Sequence, residues 1–343
     1  MFIEKIVLSK ERNVTLTAMI QDVGGEYRTV TERPGIIVIP GGGYSFCSDR
    51  EAEPVAMAFL NAGFDAFILR YSVGKDAVWP RPLEDYDEAM ALIRERAEEW
   101  HVMADKIAVV GFSAGGHLAG AAATMAKNRP AAAILGYAVL NEDVRGCSDT
   151  APDVTKYVDY DTCPCFLFAT RTDSVVPIMN TVDMMAALAK NDVSFESHVY
   201  SFGPHGFSTA EHVVQAAGTA ITERAADWVQ DSIGWLKEIL GDFGTKGFTK
   251  PVCKPHVSDD KGAWLSIDCS IGRLFGNPVA LEVLEPVIAE MKEKIQPFSP
   301  EMTFDDMMQV LGTMKLSDLL KERGIAVEKL DAYDEQLGKL PNI

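Results

Sequence analysis

Three residues could carry covalent chemistry in this chain: Ser113, Asp173 and His205, in that order. Ser113 lies within Gly111-Phe112-Ser113-Ala114-Gly115-Gly116, directly after the apolar run Ile107-Ala108-Val109-Val110 and directly before a helix-forming stretch. A serine on a sharp strand-to-helix turn, with small residues two positions to either side, is held on a strained backbone that exposes its hydroxyl. A hydroxyl is a weak nucleophile unless a base takes its proton, and the base needs an orienting acid. His205 sits in the glycine-flanked Phe202-Gly203-Pro204-His205-Gly206-Phe207, and Asp173 in Thr170-Arg171-Thr172-Asp173-Ser174-Val175-Val176-Pro177. Asp192 falls one helix later, and His212 lacks glycine neighbours, so both are poorer candidates. The chemistry of such a set is acyl transfer through a covalent acyl-serine.

The elements that must position these residues can be read around them. Ile36-Ile37-Val38-Ile39 reads as a buried strand running into Pro40-Gly41-Gly42-Gly43-Tyr44. A glycine run at a strand end leaves backbone N–H groups open to a ligand, so Gly42 and Gly43, with Ala114 after the serine, are the expected oxyanion donors. Phe166-Leu167-Phe168-Ala169 reads as the strand before Asp173, and Ser194 to Tyr200 as the strand before His205. All four segments lie at the C-terminal ends of strands, where open parallel sheets place their ligands.

On these motifs, together with Gly115-Gly116-His117 and His205-Gly206-Phe207, the chain resembles the α/β-hydrolase serine esterases of the acetyl esterase, acetyl xylan esterase and feruloyl esterase kind, relatives of prolyl-oligopeptidase-type peptidases. The resemblance runs from about residue 30 to residue 240. Pro40 stands where many relatives carry histidine, which leaves the glycine loop differently anchored. The resemblance implies hydrolysis of esters through a covalent acyl-serine; an open site and the appended helical module favour a short acyl group, acetyl foremost, on a carbohydrate, and no cofactor or metal is expected. The alternative is a peptidase or aminoacyl amide hydrolase using the same triad. His198, His205 and His212 recur every seven residues, but Gly203-Pro204 breaks any common helix, so they form no metal-binding face. His117 reads as a packed helix residue, while Tyr44 and Trp79 are candidates for the pocket mouth.

From Gly35 onward the pattern alternates strand and helix, which calls for a parallel sheet covered on both faces. Ile3 to Leu8 and Val14 to Ile20 suit an antiparallel hairpin at its edge. Helices are expected near Arg50 to Ala62, Pro82 to Trp100, Ala114 to Lys127, Pro177 to Ala189 and Ala217 to Leu240, with a further strand over Ala132 to Leu140. The polar segment between Leu140 and Cys163 is too short for a large lid and points to an open groove. The expected architecture is therefore an α/β-hydrolase fold over residues 1–240, a Gly- and Pro-punctuated linker over 241–264, and a small helical module over 265–343. That module reads as three helices: Ser270 to Lys294 with an interruption at Asn277-Pro278, Thr303 to Lys321 and Val327 to Leu340. Thr303-Phe304-Asp305-Asp306 marks one start, with a hydroxyl cap and acids in the first turn. It resembles a module appended to bacterial carbohydrate-active hydrolases.

A net charge of −18 over 343 residues argues against nucleic acid, whose phosphates need a basic face. No apolar run approaches the roughly 18 residues of a membrane span. The first residues read as a strand and not as a signal peptide. Six scattered cysteines form no disulfide framework, and the one-residue spacing of Cys163-Pro164-Cys165 differs from a redox pair. Both features make the cytoplasm the expected compartment. The expected partner is a small-molecule or oligosaccharide ester.

Overall fold

Short runs of β-branched and aromatic residues set the sheet. The computed structural model of the protein describes residues 1–215, 223–294, 299, 301–324 and 327–342. These fall into two units, Met1–Pro255 and His256–Ile343. The first contains an eight-stranded sheet: β1 Phe2–Ser9, β2 Val14–Ile20, β3 Arg33–Ile39, β4 Asp65–Arg70, β5 Val102–Phe112, β6 Ala133–Gly136, β7 Cys165–Thr170 and β8 Phe195–Tyr200. Their spatial order is β1-β2-β4-β3-β5-β6-β7-β8. The pairs β1–β2 and β2–β4 are antiparallel; every later pair is parallel.

Side chains that alternate across each strand feed two separate cores. Ile37, Ile39, Val109, Leu135 and Leu167 point to one face, where they meet helices α2 (Arg81–Glu95), α3 (Ala97–Trp100), α4 (Ser113–Met125) and α5 (Met179–Lys190). Ile36, Val38, Val110, Ile134, Phe166 and Phe168 point to the other, against α1 (Glu53–Asn61) and α6 (Trp228–Leu240). This two-sided burial is why the strands read as continuous apolar runs. The chain steps from β3 to β4 on one side and to β5 on the other. The loops after β3 and β5 thus open a crevice at the point where strand order reverses.

Several boundaries differ from the sequence expectation. The helix expected from Pro82 breaks at Arg96, and the strand expected to Leu140 ends at Gly136, because Tyr137 turns with φ 33°. Of the helix expected from Ala217, residues 217–222 lie outside the described residues, and the α-helix starts at Trp228. Residues 241–255 belong to the first unit, so its limit is Pro255 and not residue 240. Phe243–Gly244 pairs with Gly247–Phe248, and the N–H groups of Val252 and Cys253 donate to the Glu238 carbonyl.

The second unit has its own core, including Leu274, Leu284, Val287, Met291, Met307 and Leu320. Five helices surround it among the described residues: α7 Ile271–Phe275, α8 Pro278–Lys294, α9 Phe304–Val310, α10 Leu316–Glu322 and α11 Val327–Leu337; the break between α7 and α8 falls at the expected Asn277-Pro278 interruption, whereas that between α9 and α10 was not expected. Thr303 and Asp306 exchange hydrogen bonds in a full capping box at the start of α9. Between α9 and α10 the carbonyls of Gly312 and Met314 accept from the N–H groups of Gly272 and Ile271, which interrupts what the apolar spacing suggested was one helix.

Candidate active site

The glycines around Ser113 let strand and helix meet. A Cβ on Gly111 would lie 2.3 Å from the Gly115 carbonyl oxygen, and one on Gly116 would lie 2.4 Å from the Ala138 Cβ. On Gly115 it would lie 2.3 Å from the Pro40 oxygen and 2.4 Å from that of Ile39. With α4 this close to the end of β3, Ser113 takes φ 53°, a left-handed value that costs a non-glycine residue roughly 1–3 kcal/mol and persists only where packing enforces it. The serine stands at the N-terminus of α4, where the helix dipole favours developing negative charge.

The structure brings all three chemical candidates together. His205 Nε2 lies 2.8 Å from Ser113 Oγ, and His205 Nδ1 lies 2.7 Å from Asp173 Oδ2. An ionised carboxylate only accepts, so Nδ1 carries the proton and Nε2 is free to accept from the serine hydroxyl. Asp173 Oδ1 accepts from the N–H groups of Val175 and Val176 at 2.8 and 2.9 Å, which fixes the carboxylate while Oδ2 holds the histidine. Thr172 Oγ1 accepts from the Gly203 N–H at 3.0 Å, tying the aspartate loop to the histidine loop. Asp192 and His212 take no part.

The glycine loop lies beside the serine, since a Cβ on Gly41 would sit 3.0 Å from the Ser113 Cβ. Gly42 (φ 133°) and Gly43 (φ 59°) use backbone that side chains disfavour, and a Cβ on Gly42 would meet the Phe46 carbonyl oxygen at 2.1 Å. The Gly42 carbonyl accepts from Ser45 and Phe46, while none of the described residues accepts from the N–H of Gly42 or Gly43. The N–H of Ala114, in the first turn of α4, has no intrahelical acceptor to bind.

Tyr44, expected at the pocket mouth, is instead buried beneath the loop it follows. Its hydroxyl donates to His117 Nδ1 at 2.6 Å, and His117 Nε2 donates to the Pro152 carbonyl at 2.7 Å. Burial lowers the His117 pKa to about 4, which keeps it neutral, as this tautomer requires. Trp79 packs edge-on against His117, with ring centroids 5.5 Å apart. The 141–162 segment is held down here, with Val144, Ala151 and Val154 buried. It is a packed wall and not a lid.

Glu51 and Tyr137 escaped the sequence reading. Glu51 is 3% exposed; its Oε2 accepts from the Gly41 N–H at 2.8 Å and its Oε1 from the Tyr137 hydroxyl at 2.7 Å. Burial raises its pKa, while the bonds from Tyr137 and Gly41 and the nearness of His205 and Arg50 pull the other way. Elsewhere His198 bonds to Glu196 at 2.6 Å, apart from His205. The Cys165 thiol donates to the Cys163 carbonyl at 3.3 Å.

The BD-FAE family matches residues 22–133. The chain is 33% identical over 210 residues to an endo-1,4-beta-xylanase B of Butyrivibrio fibrisolvens, covering 52% of this chain and 33% of that protein. It is 26% identical over 200 residues to an acetylxylan esterase of Xylanibacter ruminicola, covering 50% of this chain and 40% of that protein. It thus spans less than half the length of either. Its fold superposes with a TM-score of 0.67 and 40% identity on the crystal structure of an alpha/beta hydrolase enzyme from a Medee basin deep-sea metagenome library, over 70% of this chain and 98% of that one. A chain that spans nearly all of that enzyme at such identity belongs to the α/β-hydrolase family.

Proposed function

We propose that the protein is a serine esterase that removes short acyl groups, acetyl foremost, from a carbohydrate through an acyl-serine. The observation that carries this reading is the unbroken line from Asp173 through His205 to Ser113, with contacts of 2.7 and 2.8 Å. Ser113 Oγ attacks the ester carbonyl as His205 Nε2 takes its proton. Asp173 stabilises the imidazolium, and the histidine then returns the proton to the departing alcohol. Water enters by the same route in reverse and releases the acid. The N–H groups of Gly42, Gly43 and Ala114 bind the oxyanion, each donor being worth about 3 kcal/mol of barrier.

Two features support a short acyl group. The 141–162 segment is packed down and supplies no cover for a long chain, whose buried methylenes would otherwise each add about 0.8 kcal/mol. The named activity of the acetylxylan esterase relative favours acetyl on a xylan-like sugar. The test is a kcat/KM series over acetyl, propionyl and octanoyl aryl esters, acetylated xylo-oligosaccharides and aminoacyl amides. Acetyl esters should lead. Higher values for octanoyl esters would overturn the chain-length reading, and preference for aminoacyl amides would favour a peptidase.

A further inference from the structure

The glycine loop and the histidine loop leave different strands, β3 and β8, yet both must be in register with Ser113 for acyl transfer. The hydrogen bonds among Ser113, His205 and Asp173 fix only the histidine side. Glu51 spans the gap. Its Oε2 accepts from Gly41, next to the glycines with free N–H groups. Its Oε1 accepts from Tyr137, whose hydroxyl oxygen accepts from the Ser208 N–H at 3.0 Å, three residues beyond His205. The Tyr137 ring also meets the His205 imidazole edge-on, with centroids 5.1 Å apart. A Cβ on Gly206 would lie 4.0 Å from Glu51 Oε1, so the carboxylate lies near the histidine loop. Ser208 Oγ donates to the Arg50 carbonyl, closing the ring of contacts beside Glu51.

Among the described residues Glu51 has no salt-bridge partner; a buried carboxylate of that kind is costly, and stability alone favours an apolar residue of similar size there. Its two oxygens instead meet two donors, one in the glycine loop and the other the Tyr137 hydroxyl after β6, which in turn holds the histidine loop through the Ser208 N–H.

We infer that Glu51 is a positioning residue: its carboxylate clamps the oxyanion-binding glycine loop to the His205 loop and so sets the hole against the base. The inference rests on the triad reading given above. A carboxamide offers one acceptor oxygen where the carboxylate offers two, so in Glu51→Gln either the Gly41 N–H or the Tyr137 hydroxyl loses its acceptor. Tyr137→Phe keeps the ring and removes only the arm toward Ser208.

The test measures the two variants and their combination in the full chain. Glu51→Gln should lower kcat on an aryl acetate by roughly 10–10²-fold, the scale of a displaced catalytic group, with KM changed less than about twofold. Binding of an acetyl trifluoromethyl ketone, which forms a tetrahedral adduct, should weaken by a similar factor, because only the oxyanion form uses the hole. The double variant should be little worse than Glu51→Gln, since both changes break the same link. A melting temperature lowered with kcat intact well below it would reduce Glu51 to a structural role and overturn the inference. Should Glu51→Gln fail to fold, Tyr137→Phe with unchanged kcat and unchanged ketone affinity would overturn it equally. Fluorophosphonate labelling separates the two layers. A wild-type protein not labelled at Ser113 defeats the triad reading, whereas one labelled there, with Glu51→Gln labelled at the same rate, defeats only the clamp.

Discussion

Replacing Gly115 by alanine probes how the serine is presented without touching any reacting group. The added methyl would lie 2.3 Å from the Pro40 carbonyl oxygen and 2.4 Å from that of Ile39, against ordinary contacts that begin near 3.4 Å. Both obstacles are backbone at the end of β3, so no side chain can swing aside. The start of α4 must retreat by about 1 Å from the strand whose end carries the glycine loop. Overpacking of this kind costs about 1–3 kcal/mol, or several degrees of melting temperature for a unit of this size. A shift of about 1 Å between nucleophile and oxyanion donors costs roughly 10²-fold in rate. Gly234 is the matched control: it lies within α6, its Cβ position has no heavy atom within 4 Å apart from its chain neighbours and the adjacent helix backbone, and alanine there should stabilise by about 0.5–1 kcal/mol. The assay is kcat/KM on an aryl acetate beside the melting curve of each variant. Gly115→Ala with wild-type turnover would refute the argument that close packing of α4 on β3 sets the serine.

Asp65 is buried, and desolvation lifts its pKa to about 7, so the folded protein holds a proton that the unfolded chain has released above about pH 4; stability should fall as pH rises from 4 to 7. Asp65→Asn removes this dependence, so its stability relative to wild type should grow across that range by on the order of 3 kcal/mol, and parallel denaturation curves at pH 4 and 8 would contradict it. His117 acts with the opposite sign: its pKa is lowered to about 4, the unfolded chain takes up the proton first, and stability should drop as pH falls from 6.5 toward 4. Wild type should therefore lose its stability advantage over His117→Gln across that range, and an unchanged gap would exclude the buried neutral histidine as the cause. A chain ending at Pro255 should still turn over aryl acetates at close to the full rate, because every residue placed in the site precedes it and the helical unit closes its own core. Soluble protein without that activity would show that the second unit helps build the site.

The parts of the site that could be read from sequence are those where the backbone itself demands an unusual residue. Gly111, Gly115 and Gly116 mark the turn that exposes Ser113, Gly42 and Gly43 mark the loop beside it, and Gly203 and Gly206 flank His205. Continuous apolar runs likewise marked β3, β5 and β7, and alternation marked β8. Glu51 left no such trace. It stands in Ser48-Asp49-Arg50-Glu51-Ala52-Glu53, a charged run that reads as a solvated helix start, and only tertiary folding separates the buried Glu51 from the exposed Glu53. Tyr137 was hidden because its apolar flanks read as a strand running to Leu140, whereas its left-handed backbone turns the ring toward His205. The Gly- and Pro-rich stretch after residue 240 looked like a linker because glycine marks turns and linkers alike. Here Gly241, at φ 102°, caps the end of α6, and Gly247, at φ 108°, follows the turn of a small pinned hairpin. The break between α9 and α10 depends on hydrogen bonds to Gly272 and Ile271, forty residues earlier in the chain, which no local periodicity records.

The central claim is that Ser113 is a nucleophile activated by His205. It is tested most directly by reacting the protein with a fluorophosphonate and mapping the modified peptide by mass spectrometry, in wild type, Ser113→Ala and His205→Ala. The account predicts one label per chain, on Ser113, absent from Ser113→Ala and slowed by at least about 10³-fold in His205→Ala, with esterase activity lost in step. A label on another residue, or a Ser113→Ala protein that keeps a tenth of the wild-type rate, would contradict it.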